Sequence, residues 1–493
     1  MKYSNYQQDV FKAVITTPAN IAVKATAGSG KTTTIVEAAK LIPYGKSAIF
    51  AAFNKETVKQ LALRLPEGVD CATLHSIGMS AIRAHYFPGK VIMKEKKQLD
   101  HIIPLYENIE ISNKEKWTSI YLIDRLLSLC RATMTVPTKE AFEKLATNYA
   151  LDVSDVQVEK GVQALKNLYT FNDNQDRFNM IIDFQDMIEM CVRSEKIRLP
   201  QYDFVFVDEI QDLSALDHLF IKKLRKVVGG RIIGVGDPRQ SIYGFRGSHP
   251  YSFDKFTEEA NTTILPLSIS YRCDKAIVAE ARKIYTDIEP YVENQEGLVT
   301  MEGSLGDIRE GDFVLCRNTR PLIEVFFTLI DRNIKAYVVG SEMEKGLKNL
   351  LSSCEPTEDS ELALGKVKAI YEKLLASLKL KGATNPSYHP KAVSFKEKLD
   401  ILKLLFSRFN TVLEVEKFIE TVFDDKEREG VRLMTIHKSK GMENGRVFVI
   451  DSFDGKQLIP SPYAVTRDQK IQERNLSFVA VTRAKNELIK LSL

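Results

Sequence analysis

NIAVKATAGSGKTTTIVEAAK, residues 20–40, is a short apolar run, a glycine-containing loop and the start of a helical pattern, in that order. The loop follows G-x-x-x-x-G-K-[ST] except that Ala25 holds the first glycine position. A loop that leaves a strand and opens a helix turns several backbone N–H groups toward one point, which suits phosphate. Ala27, Gly28, Ser29, Gly30, Lys31, Thr32 and Thr33 are therefore expected to bind a nucleotide, ATP. Lys31 reaches the β- and γ-phosphates, and the Thr32 hydroxyl ligates Mg²⁺. YDFVFVDEIQD, residues 202–212, supplies the second half of such a site. Asp208 is expected to hold Mg²⁺ through water and Glu209 to orient or deprotonate the attacking water.

From these two stretches the fold class follows. Residues 20–24, 46–53, 202–208 and 231–236 are apolar runs that end in polar or glycine residues and alternate with helical patterns, as in a parallel α/β sheet with ligands at the strands' carboxyl ends. A second such pattern starts near 263, with 312–317 and 336–341, and resumes at 431–437 and 447–453. The expectation is α/β with two parallel-sheet domains, each with a helical insertion. The first domain comprises 1–90 and 200–262, with 91–199 inserted. The second comprises 263–345 and 426–493, with a short charged helical insertion at 346–425.

Bulk composition narrows the class. With 493 residues, 44% hydrophobic and 27% charged, the chain has the balance of a multi-domain globular protein. A net charge of +4 excludes a polycation but allows a locally basic groove. The six cysteines form no Cys-x-x-Cys pair, so neither a zinc site nor a disulfide framework is indicated. No signal region opens the chain and no apolar stretch approaches the roughly 18 residues of a membrane span. A cytoplasmic location without membrane contact is expected. The basic run Lys94-Glu95-Lys96-Lys97 reads first as a solvated face and second as a duplex contact.

Other motifs follow in fixed order: TLHS at 73–76, GDPRQSIYGFRG at 236–247, SYR at 270–272, TIHKSKGME at 435–443 and VTRA at 481–484. Phosphoryl transfer needs positive charge in its transition state, and Arg272 and Arg483 are candidates to close on the γ-phosphate if the two sheets face one another. Taken singly, either arginine reads as a surface ion pair. Tyr243 and Phe245, alternating around Gly244, suit either a core or a platform for stacked bases.

In motif content and order, from Gln7 to Arg483, the chain resembles superfamily 1A helicases of the UvrD/Rep/PcrA type. The wording ATAGSGKTTT, AFNKET, TLHSIG and HKSKGME resembles their Fbh1-like branch. The resemblance implies that both parallel-sheet domains are RecA-like P-loop NTPase domains. It also implies that Gln7 reads adenine, Tyr271 stacks on it, Glu443 lies near the ribose and Gln240 senses the γ-phosphate. It makes Arg272 and Arg483 the two arginine fingers. Thr73, His75, Thr435 and His437 would touch the nucleic-acid strand, Tyr243 and Phe245 would stack on its bases, and Arg246 would add a backbone or stacking contact. Asp183-Phe184 also echoes a family pattern. The departures are Ile210 for a common Phe, Phe245 for a common Trp, and Phe53 one place later than in the UvrD wording. The second insertion is shorter than the family's, no F-box precedes Gln7, and ten residues follow Arg483, which together suggest a pared-down motor such as a phage could encode.

The implied activity is an ATP-dependent DNA helicase moving 3′ to 5′ on single-stranded DNA, acting at single-strand/duplex junctions as a monomer. Two alternatives stand beside it. One is a translocase that strips proteins such as a recombinase, or meets a single-strand-binding protein, with little unwinding. The other is a nucleotide-gated DNA-binding switch.

Overall fold

Runs of consecutive apolar residues build two parallel sheets, because strands covered by helices on both faces need no polar side. The computed structural model describes residues 3–52, 55–149, 151, 153–176, 178–242, 251–258, 261–380, 385–423, 429–464 and 466–493. The chain divides into two compact units, Met1–Ser268 and Ile269–Leu493.

In the first unit, helix α1 (Asn5–Thr16) leads into β1 (Asn20–Ala25), α2 (Lys31–Ala39), β2 (Ala48–Ala52), α3 (Lys55–Ala62), β3 (Val69–Thr73) and α4 (Leu74–Tyr86). After an excursion come β6 (Phe204–Val207), α9 (Ala215–Leu224), β7 (Arg231–Gly236), α10 (Ser252–Thr257) and β8 (Thr262–Leu267). The six strands pair in parallel in the order β3-β2-β6-β7-β1-β8. Alternate side chains serve opposite faces. Phe204 and Phe206 join Ile21, Val23 and Phe50 in one core, while Val205 and Val207 join Ile49, Ile77 and Phe220 in the other. Each such fully buried side chain contributes roughly 1.5–3 kcal/mol. This topology sets the phosphate loop after β1, Asp208 after β6, Gly236 at the end of β7 and Thr73 at the end of β3 along one carboxyl edge.

The excursion runs from β4 (Lys90–Met93) through α5 (Asn113–Ala132), α6 (Lys139–Asn148) and α7 (Asp155–Asp173) to β5 (Asn179–Ile182) and α8 (Asp186–Arg193). Helices α5 and α7 start at capping boxes, Ser112 with Glu115 and Ser154 with Gln157, each supplying partners for orphan N–H groups. Its helices share a core of their own, built on Ile120, Leu126, Phe142 and Leu165. The parallel pair β4–β5 within it was not expected from sequence, since four-residue strands are too short to show a period.

The second unit opens with the short pair β9 (Ile269–Ser270) and β10 (Glu289–Pro290), with α11 (Lys275–Arg282) between them. Its main sheet uses β11 (Leu298–Thr300), β12 (Phe313–Cys316), β13 (Ala336–Val339), β14 (Val431–Thr435), β15 (Asn444–Phe453) and β17 (Ala484–Ser492), ordered β11-β17-β15-β12-β14-β13, with β16 (Lys456–Gln457) antiparallel to β15. Helix α12 (Thr319–Asp331) joins β12 to β13, and α17 (Arg467–Val481) precedes β17. Between β13 and β14 lie α13 (Ser341–Leu351), α14 (Ser360–Leu380), α15 (Pro390–Phe406) and α16 (Val412–Val422). Unlike the first insertion, these helices share one continuous core with the sheet: Leu347, Val367, Leu402 and Ile419 pack with Val314, Val338 and Leu433. Among the described residues no helix is long and apolar enough to cross a membrane.

Candidate nucleotide and strand-binding site

The phosphate loop takes its shape from two left-handed glycines, Gly28 (φ 71°) and Gly30 (φ 76°), conformations that cost a side-chain-bearing residue energy. Ser29 folds inward, its N–H and hydroxyl both donating to the Thr26 carbonyl. Ala27 is fully buried, and the buried Thr26 hydroxyl has no protein partner. Gly30 caps α2 without a side chain, so the helix presents its first N–H groups to the loop, as an anion site requires.

Two side chains of the first turn of α2 face the end of β6. The Thr32 hydroxyl donates to Asp208 Oδ2 at 2.8 Å, and Lys31 Nζ lies 3.6 Å from Glu209 Oε1. Thr33 turns the other way and accepts from Arg64 at 3.0 Å, a contact that competes with a nucleotide role. Burial, then the neighbouring Glu209 charge, pushes the Asp208 carboxyl up to about 6, with Lys31 opposing. The protein thus leaves Asp208 short of positive charge beside a hydroxyl oxygen. A hard-oxygen pair of this kind fits Mg²⁺, with Thr32 and Asp208 as the residues to hold it.

Glu209 adopts φ 52°, ψ 43°, a left-handed conformation that costs a non-glycine residue about 1–2 kcal/mol. A hydrogen-bonded chain leads away from it. Gln211 Nε2 donates to Glu209 Oε2, and Gln211 Oε1 accepts from the Asp237 N–H at 3.0 Å. Asp237 then receives Gln240 Nε2 at 2.7 Å and Arg239 Nε at 2.8 Å, while Arg239 Nη2 reaches the Ala25 carbonyl at 2.7 Å. Gln211, Asp237, Arg239 and Gln240 are all buried. The structure therefore joins Lys31, Thr32, Asp208, Glu209 and Gln240 into one assembly. Gln211, Asp237 and Arg239, which sequence reasoning gave no role, are its connectors.

Gln7 and Gln8 are distinguished by their surroundings. Gln7 is buried, closes the capping box of α1 with Ser4, and donates to Thr34 Oγ1 at 3.1 Å beside the phosphate loop. Gln8 is exposed and donates to the Tyr3 carbonyl.

In the second unit Tyr271 packs on Tyr291 with ring centroids 4.9 Å apart. Arg272 pairs through Nε with Glu443 and donates to the Thr482 carbonyl at 3.2 Å. Arg483 is buried and donates to the carbonyls of Val479 and Met442. Arg272, Glu443 and Arg483 are thereby gathered at the junction of β15 and β17. Thr435 ends β14, where its carbonyl accepts from Lys438 and Ser439. Burial, reinforced by Arg317, pulls the His437 imidazole down to about 3, so it is neutral at ordinary pH.

Of the expected strand contacts in the first unit, Thr73 is buried and acts as the N-cap of α4, its hydroxyl accepting from the Ser76 N–H. His75 stacks on Phe184 at 3.8 Å and 21°, and Phe184 is 58% exposed. Burial lowers His75 to about 4. Tyr243, Phe245 and Arg246, like Phe53, lie outside the described residues. The basic run does not form one face: Lys94 pairs with Asp100, but Lys97 is fully buried and donates to Asp186 at 2.6 Å. A solvated or duplex-binding reading of Lys97 is therefore corrected, since a buried ammonium must be paired.

Residues 6–261 match the UvrD/REP helicase N-terminal domain, and residues 430–489 match the UvrD-like helicase C-terminal domain. F-box DNA helicase protein 1 of Schizosaccharomyces pombe is 24% identical over 95% of this chain and 55% of its own length. F-box DNA helicase 1 of Gallus gallus is 24% identical over 99% of this chain and 49% of its own. The ATP-dependent DNA helicase PcrA of Staphylococcus aureus is 25% identical over 58% of this chain and 40% of its own. The chain spans about half the length of the two F-box relatives.

Proposed function

The chain belongs to the UvrD/REP helicase family, and from that premise we propose that it hydrolyses ATP to move 3′ to 5′ along single-stranded DNA and to open duplex at junctions. The observation that carries the reading is the assembly of Lys31, Thr32, Asp208, Glu209 and Gln240 at one sheet edge. Lys31 and the N–H groups of the loop hold the β- and γ-phosphates. Mg²⁺, held by Thr32 and Asp208, supplies charge neutralisation at those phosphates. Glu209 takes the proton of the water whose oxygen attacks the γ-phosphorus as the bond to ADP breaks. Gln240 senses the γ-phosphate, and Arg272 and Arg483 add positive charge in the transition state. Gln7 and Tyr271 hold the adenine and Glu443 the ribose, while His75, Thr435 and His437 face the strand. The protein acts as a monomer on single strands and junctions, where a recombinase or single-strand-binding protein is its expected neighbour.

The test is strand separation on two matched duplexes, one with a 3′ and one with a 5′ single-stranded tail. Separation from the 3′ tail alone supports the reading. No separation from either, with DNA-stimulated ATP hydrolysis intact, favours the translocase that clears proteins. Lys31→Ala and Glu209→Gln are each expected to lower turnover at least 100-fold while strand binding persists; retained hydrolysis in either would sink the site assignment.

A further inference from the structure

Glu443 carries two cations at once. Its Oε2 meets Arg272 Nε, and its Oε1 accepts from Lys485 Nζ at 2.8 Å. The backbone fixes all three positions. The Asn444 N–H, next to Glu443, donates to the Arg483 carbonyl, and the Asp274 N–H, two residues past Arg272, donates to the Lys485 carbonyl. Arg272 is mostly covered (side chain 18% exposed), whereas Lys485 stands 42% exposed at the start of β17.

We propose that Lys485 is a positioning residue for Arg272: by neutralising Glu443 it keeps the guanidinium releasable to an incoming nucleotide phosphate. The inference rests on the reading of the chain as an ATPase. Alone, Glu443 could turn both oxygens to Arg272 and hold it in a bidentate pair, the strong arrangement for a guanidinium. With Lys485 present, one oxygen is taken and Arg272 faces a carboxylate–ammonium pair of zero net charge. When Arg272 leaves, Glu443 keeps a cation and is not left bare. Both effects lower the cost of moving Arg272 toward a phosphate. Because Glu443 and Lys485 are partly exposed, solvent limits the gain to a few-fold, and added salt should shrink it.

The experiment uses the full chain and a single-stranded oligonucleotide. Lys485→Gln is expected to lower kcat for strand-stimulated ATP hydrolysis about two- to fivefold, with KM for the strand unchanged, and Lys485→Arg to keep most of the rate. In a Glu443→Gln background Lys485→Gln should make no further difference. An unchanged kcat, or an equal loss in both backgrounds, overturns the proposal. Exchange of the two Arg272 Nη groups by rotation about the Nε–Cζ bond, followed by NMR in nucleotide-free protein, gives an independent reading, because Nε itself makes an ion pair with Glu443 but no hydrogen bond. Lys485→Gln should slow it as Glu443 turns both oxygens to the guanidinium, and an unchanged rate also overturns the proposal. A wild-type chain that hydrolyses no ATP would overturn the proposed function, while the exchange measurement would still decide the role of Lys485.

Discussion

Arg131 offers the sharpest test of how the first insertion is fastened. It sits in the last turn of α5, is 1% exposed, and places all five of its N–H groups. Nε donates to Glu189 at 2.6 Å, Nη1 to Asp183 and Gln98, and Nη2 to Asp183 and Asp186. Lys97 supplies a second buried cation to Asp186, and Arg193 braces Glu189 from the rim. Arg131→Met would leave three buried carboxylates with Lys97 and Arg193 as the remaining cations paired with them, beside the neutral donors Tyr169 and Asn172. Removing one partner of a buried ion pair costs about 3–5 kcal/mol, because the remaining charge keeps its desolvation penalty. Two units and an insertion will not unfold in one step, so the readout must be local. Trp117, the chain's single tryptophan, lies on the same helix as Arg131. Its fluorescence in urea should show the insertion melting earlier in Arg131→Met by that amount. Arg131→Met with Asp183→Asn should recover part of the loss, since one uncompensated charge is gone. Against the effect of burial, Arg131 holds the Asp183 carboxyl below its ordinary value. Without it Asp183 keeps its proton more readily in the folded state, so the gap from wild type should narrow as pH falls into the carboxylate range. A shift under about 1 kcal/mol, or a double variant no better than the single, would refute the argument.

Three further outcomes follow from the described geometry. A methyl group at Gly236 would stand 2.4 Å from Gln211 Oε1 and 2.9 Å from the Ile210 side chain; Gly236→Ala is therefore expected to cost about 1–3 kcal/mol and to depress ATP hydrolysis more than strand binding, measured by urea melts and steady-state kinetics. Asp237→Asn leaves one acceptor oxygen for the two side chains that Asp237 now receives, and should lower the ratio of DNA-stimulated to basal hydrolysis while ATP binding persists. His75 binds its proton less readily folded than unfolded, with a folded value of about 4 against the ordinary 6.5; its contribution is complete above pH 6.5 and is lost as pH falls toward 4, by at most about 3 kcal/mol. His75→Gln should flatten the pH dependence of the first unit's urea transition, followed by far-UV circular dichroism, across that window.

The sheet and the phosphate loop were legible because their signals are local. A buried parallel strand is a run of apolar residues, and Gly28, Gly30, Lys31 and Thr32 act within one turn of chain. Asp208 and Glu209 were legible for the same reason, as acids at the end of such a run. The connectors were not. Gln211 and Arg239 are polar residues of kinds that usually face water, and nothing in their neighbourhood says that Arg239 reaches back to the carbonyl of Ala25. Lys97 was misread for a related reason: its sequence neighbours are lysines and a glutamate, but its partners, Asn172 and Asp186, come from α7 and the start of α8. A charge whose partner lies 89 residues away leaves no periodic trace.

That illegible set is also what links the pieces of the site. Glu209 is held in a conformation a glutamate ordinarily avoids, and strain of this size persists only where surrounding contacts over-determine it. Here Glu209 donates its N–H to Asp208, receives Gln211, and faces Lys31. Gln240, the expected γ-phosphate sensor, is joined to Glu209 through Asp237 and Gln211. A phosphate that drew Gln240 Nε2 away would free one oxygen of Asp237, whose N–H is what fixes Gln211. Sensor and base would then respond together, although 31 positions separate them in sequence.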